Sequence, residues 1–212
     1  MVVDFKAAIF DFDGTLVNSM GMWQNIAVEW AKKNGVAVTP ELTNSFKYAT
    51  LEQTLAYLRD NYKEVNINKA LRSWCMAGLI KYITTVQPIE GAREYLHKLK
   101  KNGIKTAIAT NCPRPLCKAA LVRRGMSKYI DCIISSTSVG KGKDEPDIYL
   151  KAAQMLETPP ADCMVYEDSH IALSGVKKAN MRFTAVYAPD SPCTEKMQRE
   201  SDIFIKSYRE LL

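Results

Sequence analysis

The sequence has few of the features on which metal–thiolate, disulfide-stabilised or membrane proteins depend. Its six cysteines form no CxxC pair, and only two histidines accompany them, so no zinc-type ligand spacing occurs. No apolar run approaches the roughly 18 residues that a membrane-spanning helix requires. Asp4 and Lys6 interrupt the first apolar stretch, and we therefore expect no signal peptide, no membrane association and a cytoplasmic protein with reduced thiols.

Positive charge is in excess, with 29 lysines and arginines against 23 acidic residues and a net charge of +6. Such a charge suits either nucleic acid or a small anionic substrate. The basic residues occur in short clusters at the ends of predicted helices, such as Lys100-Lys101 and Lys177-Lys178, where cations complement the helix dipole. We therefore expect a small anionic ligand and no nucleic-acid partner.

Six short apolar runs, separated by amphipathic segments, indicate a parallel α/β sheet that helices cover on both faces. The expected fold is a doubly wound, Rossmann-like sheet. Residues from Ile89 to Asn102 and from Pro146 to Leu156 carry apolar side chains at helical spacing, and each segment is predicted to be a helix. The first four apolar runs predict adjacent parallel strands at residues 7–11, 105–110, 131–135 and 163–167.

The interval from residue 17 to residue 87 departs from this alternation of strand and helix. Apolar residues recur there at helical spacing, for example Met22, Ile26 and Trp30, and no convincing strand appears. We predict an all-helical insert over residues 17–87, with residues 1–16 and 88–212 forming the core domain. A chain of 212 residues is long enough for a core domain and a smaller second one.

Polar side chains follow the predicted strands at the points where these strands end. Because the carboxyl ends of parallel strands meet at one edge of a sheet, where ligands gather, we expect these side chains to form a single pocket. Lys141 is a second candidate for the lysine of this pocket, since it lies in the same loop as Lys143. The residues concerned are Asp11, Asp13, Thr110, Asn111, Lys143, Glu167 and Asp168.

This set of side chains suits phosphoryl transfer. Clustered carboxylates favour Mg²⁺, which proteins commonly bind through one or two carboxylates together with substrate phosphate, and the ion offsets the repulsion between Asp11 and Asp13. A hydroxyl group, backbone amides and a lysine form a phosphate cradle. One carboxylate can attack phosphorus, and a second, two residues further on, can protonate the leaving oxygen and then activate water.

The segments DFDGTLVNS, IATN, KDEPDIYL and VYEDS resemble the four signature motifs of the haloacid dehalogenase superfamily, in the family's order over roughly Ala7 to Ala179. The insert resembles the α-helical cap domain of this family, and the pattern is similar to that of its β-phosphoglucomutase and phosphoglycolate phosphatase type. The resemblance implies a Mg²⁺-dependent phosphatase that acts on a small phosphorylated metabolite through an aspartyl-phosphate.

The resemblance also implies a role for each motif residue that contacts the substrate. Asp11 is expected to be the nucleophile and Asp13 the general acid and base. Thr110, Asn111 and Lys143 are expected to bind the phosphoryl group.

The metal ligands implied by the resemblance are Asp11, the backbone carbonyl of Asp13 and Asp168, with Glu167 supporting the metal or its waters. Two positions depart from the family pattern. Asp144 stands where a proline is usual, so the lysine is kept but the loop loses rigidity. Asn180 stands where a glycine is usual, and asparagine tolerates the left-handed conformation of a helix end.

The insert supplies the candidates for contacts with the leaving group, which are Lys47 and Tyr48. A sugar phosphomutase of the β-phosphoglucomutase type is the alternative function. The mutase pattern in the cap reads K-G-x-x-R, and here Tyr48 and Leu51 stand where the glycine and the arginine would fall. Without that arginine a bidentate clamp for a second phosphate is missing, which favours the phosphatase.

Two further interpretations are weaker. A dehalogenase is disfavoured, because that chemistry lacks the second aspartate that Asp13 supplies. A non-enzymatic, phospho-accepting receiver also uses Asp, Thr and Lys on a parallel sheet, but it has neither a long insert nor an acid two residues after the nucleophile. Sugar phosphates, phosphoglycolate and nucleoside monophosphates all remain candidate substrates, and we expect a monomer or a weak homo-oligomer.

Overall fold

The structure is a computed structural model of the chain, which divides into two compact units. One unit, called the core unit, comprises Met1–Asn18 and Gln87–Leu212, and the other, called the insert unit, comprises Ser19–Val86. The structure describes residues 4–19, 21–40, 42–43, 51–189 and 194–212.

Eight strands and eight helices are numbered here in chain order over the described residues. The strands are β1 (Ala7–Phe10), β2 (Val17–Asn18), β3 (Gln87–Pro88), β4 (Lys105–Thr110), β5 (Cys132–Ser135), β6 (Cys163–Glu167), β7 (Arg182–Val186) and β8 (Ile203–Ile205). The helices are α1 (Met22–Lys33), α2 (Leu51–Asn61), α3 (Ile67–Thr84), α4 (Ala92–Lys101), α5 (Arg114–Arg123), α6 (Asp147–Met155), α7 (His170–Lys178) and α8 (Thr194–Glu200).

The core unit contains a six-stranded parallel sheet in the order β5-β4-β1-β6-β7-β8. The predicted parallel α/β fold is confirmed, and two predicted strands, β4 and β6, have the predicted bounds. β1 ends at Phe10, one residue before the predicted end at Asp11.

β1 lies in the middle of the sheet because its four residues, AAIF, are apolar and fully buried. A strand that is covered on both faces and paired on both edges reads as a continuous apolar run. Ala7 pairs with Lys105 on one side and with Cys163 on the other. The carboxyl ends of β1, β4 and β6 therefore lie next to one another.

The helices of the core unit present their apolar sides to the sheet, as predicted. In α4 the buried residues are Ala92, Tyr95, Leu96 and Leu99. The helix α7 is followed by Asn180, whose φ of 55° is the left-handed conformation that the sequence predicts for this asparagine. In the part of the chain that the structure describes, no helix combines the length and the apolar character needed to cross a bilayer.

A short 3₁₀ helix, Tyr208–Leu211, packs against β1 near the C-terminal residue. The buried ring of Tyr208 lies 6.2 Å from that of Phe10 in β1 and stacks on Tyr95 at 5.5 Å. The backbone of this segment approaches Gly91 so closely that a Cβ there would lie 2.7 Å from the Arg209 nitrogen. Gly91 also has a φ of +77°, so a glycine is required at this position.

The insert unit is built from α1, α2 and α3, and its described residues contain no strand. Trp30 of α1 and Trp74 of α3 meet edge to face, with ring centroids 5.7 Å apart. The predicted apolar positions Met22 and Ile26 are buried with them.

The segments that flank the insert unit are joined by two short antiparallel strands, β2 and β3. The sequence pattern does not predict this pair. Val17 pairs with Pro88, and Asn18 pairs with Gln87. These residues consequently belong to the core unit. Two strands of two residues each carry too little periodicity to be read from sequence.

Candidate active site

Three carboxylates converge at the carboxyl ends of β1 and β6. Phe10 is paired with Tyr166 in the parallel register of these strands, so the residues that follow, Asp11 and Glu167, lie side by side. One carboxylate oxygen from each of Asp11, Glu167 and Asp168 lies within 4.8 Å of the others. We call these three residues the carboxylate triad. All three are at most 9% exposed.

Lys143 reaches the triad from the loop between β5 and α6. Its Nζ donates a hydrogen bond to Asp11 Oδ1 and another, of 2.5 Å, to Glu167 Oε1. The Lys143 side chain is only 7% exposed. Lys141, the competing candidate, is instead 55% exposed and pairs with Asp147 at 3.1 Å. The structure therefore brings Lys143, and not Lys141, into the pocket.

The crowding of like charges in this pocket changes the acidity of its groups. Burial raises the pKa of Glu167 to about 7, against the lowering effect of the Lys143 ammonium. Burial and the neighbouring charges of Glu167 and Asp11 raise the pKa of Asp168 well above its ordinary value. Burial alone would lower the pKa of Lys143, but the attraction of Asp11 and Glu167 more than offsets it and the pKa is raised.

Two hydroxyl-bearing residues orient the triad, and the sequence reasoning did not single them out. Thr15 donates from Oγ1 to Asp168 Oδ1 over 3.2 Å and is fully buried. The backbone N–H of Ser169 donates to Glu167 Oε2 over 2.9 Å, and the Ser169 side chain caps the start of α7. For Thr15 the signal in the sequence is its place in the DGT segment, two residues after Asp13.

Asp13 stands on a tight turn that leaves β1. Gly14 adopts a φ of 83° and donates its N–H to the Val17 carbonyl over 2.8 Å, and a side chain at this position would be strained. Asp13 is half-buried, and its carboxylate is not one of the three that converge in the triad. Of the two predicted acids, Asp11 is thus the one that belongs to the triad.

The remaining predicted site residues are distributed as follows. Thr110 is buried at the carboxyl end of β4, where its Oγ1 accepts a hydrogen bond of 2.9 Å from the Cys112 N–H. Asn111, the next residue, is exposed. Lys47 and Tyr48 lie outside the described residues.

The donor set of the triad fits a hard divalent cation. Magnesium prefers carboxylate oxygen ligands and retains waters for the rest of its coordination shell. The raised pKa of Asp168 and of Glu167 also reflects a repulsion that a bound cation would offset. Asp11 and Asp168, with Glu167 beside them, are the side chains that could hold such an ion.

Comparisons with known proteins point in the same direction. A family model described as haloacid dehalogenase-like hydrolase matches residues 8–186. The chain is 30% identical to β-phosphoglucomutase of Bacillus subtilis (strain 168) over 189 residues, which cover 83% of this chain and 80% of that protein. It is 28% identical to hexitol phosphatase A of Escherichia coli (strain K12) over 199 residues, which cover 88% of this chain and 86% of that protein.

Among solved structures, a HAD family hydrolase from Deinococcus radiodurans R1 is similar, with a TM-score of 0.73 and 27% identity. The match covers 99% of this chain and 94% of that one, and that structure was solved with bound phosphate and sodium.

Proposed function

Because the chain belongs to the family of haloacid dehalogenase-like hydrolases, we propose that it is a Mg²⁺-dependent phosphatase acting on a small phosphorylated metabolite through a phosphoenzyme on Asp11. The enzyme class, a phosphoric monoester hydrolase, follows from relatives that are named phosphatases. The observation that carries the proposal is the buried contact of Lys143 with Asp11 and Glu167, next to Asp168.

In the first step Asp11 acts as the nucleophile. One of its carboxylate oxygens forms a bond to phosphorus while the bond from phosphorus to the ester oxygen breaks. Asp13, protonated at this stage, donates its proton to the leaving oxygen, so that an alcohol departs rather than an alkoxide. The products of the step are the free alcohol and an aspartyl-phosphate on Asp11.

In the second step a water molecule replaces the alcohol. Asp13, now a carboxylate, accepts a proton from the water as its oxygen bonds to phosphorus. The bond between phosphorus and the Asp11 oxygen breaks, which releases inorganic phosphate and regenerates both carboxyl groups. The place of Asp13 in the chain, two residues after Asp11 on the turn that leaves β1, supports this division of labour.

Lys143 and Thr110 are proposed to hold the phosphoryl group. Lys143 already carries its charge beside Asp11, and its ammonium can contact the phosphoryl oxygens as it contacts the carboxylates here. The Thr110 hydroxyl, fixed by the Cys112 N–H, is free to donate its own hydrogen to an oxygen of the substrate. A Mg²⁺ ion bound at the triad would supply positive charge that offsets the repulsion between a phosphate dianion and three carboxylates.

The proposal is tested by assaying a panel of phosphate monoesters with the purified protein in Mg²⁺ and in EDTA. We expect release of inorganic phosphate that depends on Mg²⁺, and no turnover by Asp11→Asn. Formation of an isomeric sugar phosphate without release of inorganic phosphate would instead support the mutase, which the identity to β-phosphoglucomutase keeps as the second candidate. Isotope-labelled phosphate found on a residue other than Asp11 would overturn the mechanism.

A further inference from the structure

The backbone that carries Lys143 lies directly against helix α7. We call residues 140–146, the last part of the connection from β5 to α6, the lysine loop. Gly175 of α7 is so close to this loop that a Cβ there would lie 2.2 Å from the Lys143 carbonyl oxygen and 2.7 Å from the Glu145 carbonyl oxygen. An ordinary contact between carbon and oxygen is about 3.3 Å or more. Only a glycine allows the helix and the loop to approach in this way.

One turn further along α7, Lys178 holds the same stretch of the lysine loop. Its Nζ donates to the Asp144 carbonyl oxygen over 3.1 Å and to Glu145 Oε1 over 2.6 Å. The two side chains of this ion pair are 47% and 41% exposed. Lys178 of α7 thus fixes the backbone of Asp144, the residue that follows Lys143. Gly175 of the same helix contacts the carbonyl oxygen of Lys143 itself.

The lysine loop needs support of this kind because little in its own sequence restricts it. Asp144 and Glu145 have no ring that fixes φ, in contrast to Pro146. Within the loop, the Glu145 N–H donates to the Gly142 carbonyl over 3.2 Å. The start of α7 also contacts the triad, through the N–H of Ser169 and Glu167. The helix α7 therefore helps to position both the Glu167 carboxylate and Lys143, which donates a hydrogen bond to it.

We propose that Gly175 and Lys178 are positioning residues that hold the lysine loop, so that the Lys143 ammonium stays in contact with Asp11 and Glu167. The proposal rests on the phosphatase function for its effect on turnover, but not for its effect on the Lys143 side chain. An added Cβ at Gly175 must displace the loop backbone by about 1 Å, and a misplacement of that size can cost about a hundredfold in rate. The Lys178 pair is half exposed, and its loss is expected to have a smaller effect.

The test compares four variants with the wild-type protein. Gly175→Ala introduces the clash, Lys178→Ala removes the ion pair, and Lys178→Arg is the conservative replacement that should rescue it. Lys177→Ala is the matched control, because Lys177 is the neighbouring residue of α7 and forms a 2.9 Å ion pair with Glu200, away from the lysine loop. Circular dichroism and urea unfolding identify any variant that does not fold.

Two measurements are made on each folded variant. The first is kcat/KM with an aryl phosphate, together with the inhibition constant of inorganic phosphate. The second is the rate at which an amine-acylating reagent modifies Lys143 in phosphate-free protein, followed by peptide mass spectrometry. The second readout does not depend on activity, and the unfolding free energies from urea show whether faster acylation accompanies a loss of global stability.

We expect kcat/KM to fall about tenfold to a hundredfold in Gly175→Ala and about two- to fivefold in Lys178→Ala. The inhibition constant of phosphate should rise in parallel, and Lys143 should be acylated faster than in wild-type protein. Lys178→Arg and Lys177→Ala should match the wild type. If Gly175→Ala does not fold, the Lys178 variants alone decide the question.

Acylation of Lys143 at the wild-type rate in both Gly175→Ala and Lys178→Ala would overturn the positioning proposal, as would an equal change in Lys177→Ala. A wild-type protein that hydrolyses no phosphate ester would overturn the proposed function instead. In that case faster acylation of Lys143 in the variants would still support the positioning role, so the two failures can be told apart.

Discussion

Replacement of Glu167 by glutamine should make the metal-free protein more stable at pH 8 and leave it unchanged at acid pH. Glutamine has the shape of a protonated glutamic acid and cannot ionise. Glu167 is 1% exposed, and its carboxylate lies close to those of Asp11 and Asp168. In the absence of metal its negative charge is therefore held against two like charges, which the Lys143 ammonium and the Ser169 N–H offset only in part.

The size of the effect follows from the pKa of Glu167, which burial raises from 4.5 to about 7. The pKa of Glu167 is higher in the folded than in the unfolded protein. The contribution of protonated Glu167 to the free energy of unfolding is therefore present in full below pH 4.5 and is lost as the pH rises through 7. Because one unit of pKa difference corresponds to about 1.4 kcal/mol, the free energy of unfolding falls by about 3 kcal/mol. The Glu167→Gln variant does not undergo this loss, and its advantage at pH 8 should approach the same figure.

The assay is urea denaturation of both proteins in EDTA at pH 5, 6, 7 and 8. We expect the unfolding free energy of the wild type to fall across this range and that of Glu167→Gln to fall much less. Parallel pH dependences in the two proteins would refute the reasoning. Added Mg²⁺ provides a second arm, since a cation at the triad should stabilise the wild type at pH 8 more than the variant.

Three further predictions concern single residues. Asp13→Asn should slow alkyl phosphate hydrolysis by about 10²–10⁴-fold and aryl phosphate hydrolysis much less, because aryl leaving groups need no proton. If single-turnover experiments show equal effects on both substrates, Asp13 is not the general acid. Asp168→Ala should abolish Mg²⁺-dependent turnover, while the stability of the metal-free protein is kept or raised. Full Mg²⁺-dependent activity in this variant would contradict the assignment of Asp168 as a metal ligand. Tyr208→Ala should lower the unfolding free energy by about 3–5 kcal/mol, as followed by urea denaturation, whereas Tyr187→Ala, at a position 37% exposed, should cost far less.

Local patterns were sufficient to predict most of the core unit. β4 and β6 are apolar runs bounded by polar residues, and their limits agree with the sequence. The convergence of Asp11, Lys143, Glu167 and Asp168 could be predicted because parallel strands end at one edge. The order of the motifs along the chain and the parallel topology were therefore enough to predict that these four residues converge.

The features that were not predicted depend on contacts between residues that are distant in the chain. Tyr208 packs on Tyr95 and Phe10, and nothing in the local sequence of SYREL indicates which rings it meets. The approach of Gly175 to the Lys143 carbonyl likewise has no periodic signature, since a glycine inside a helix reads only as a weak helix former. Such contacts depend on tertiary packing.

The central place of β1 in the sheet has a consequence for biosynthesis. β1 is fully apolar, and it leaves the ribosome well before both of its partners, β4 and β6. Thr15 and Asp168 are separated by 153 residues, and Lys143 and Asp11 by 132. Contacts of such long range make folding slow, and until they form β1 is exposed to other chains. A nascent chain that has not yet reached Cys163 carries Asp11 without the two carboxylates that complete the triad, so the pocket cannot be assembled before β6 has been made.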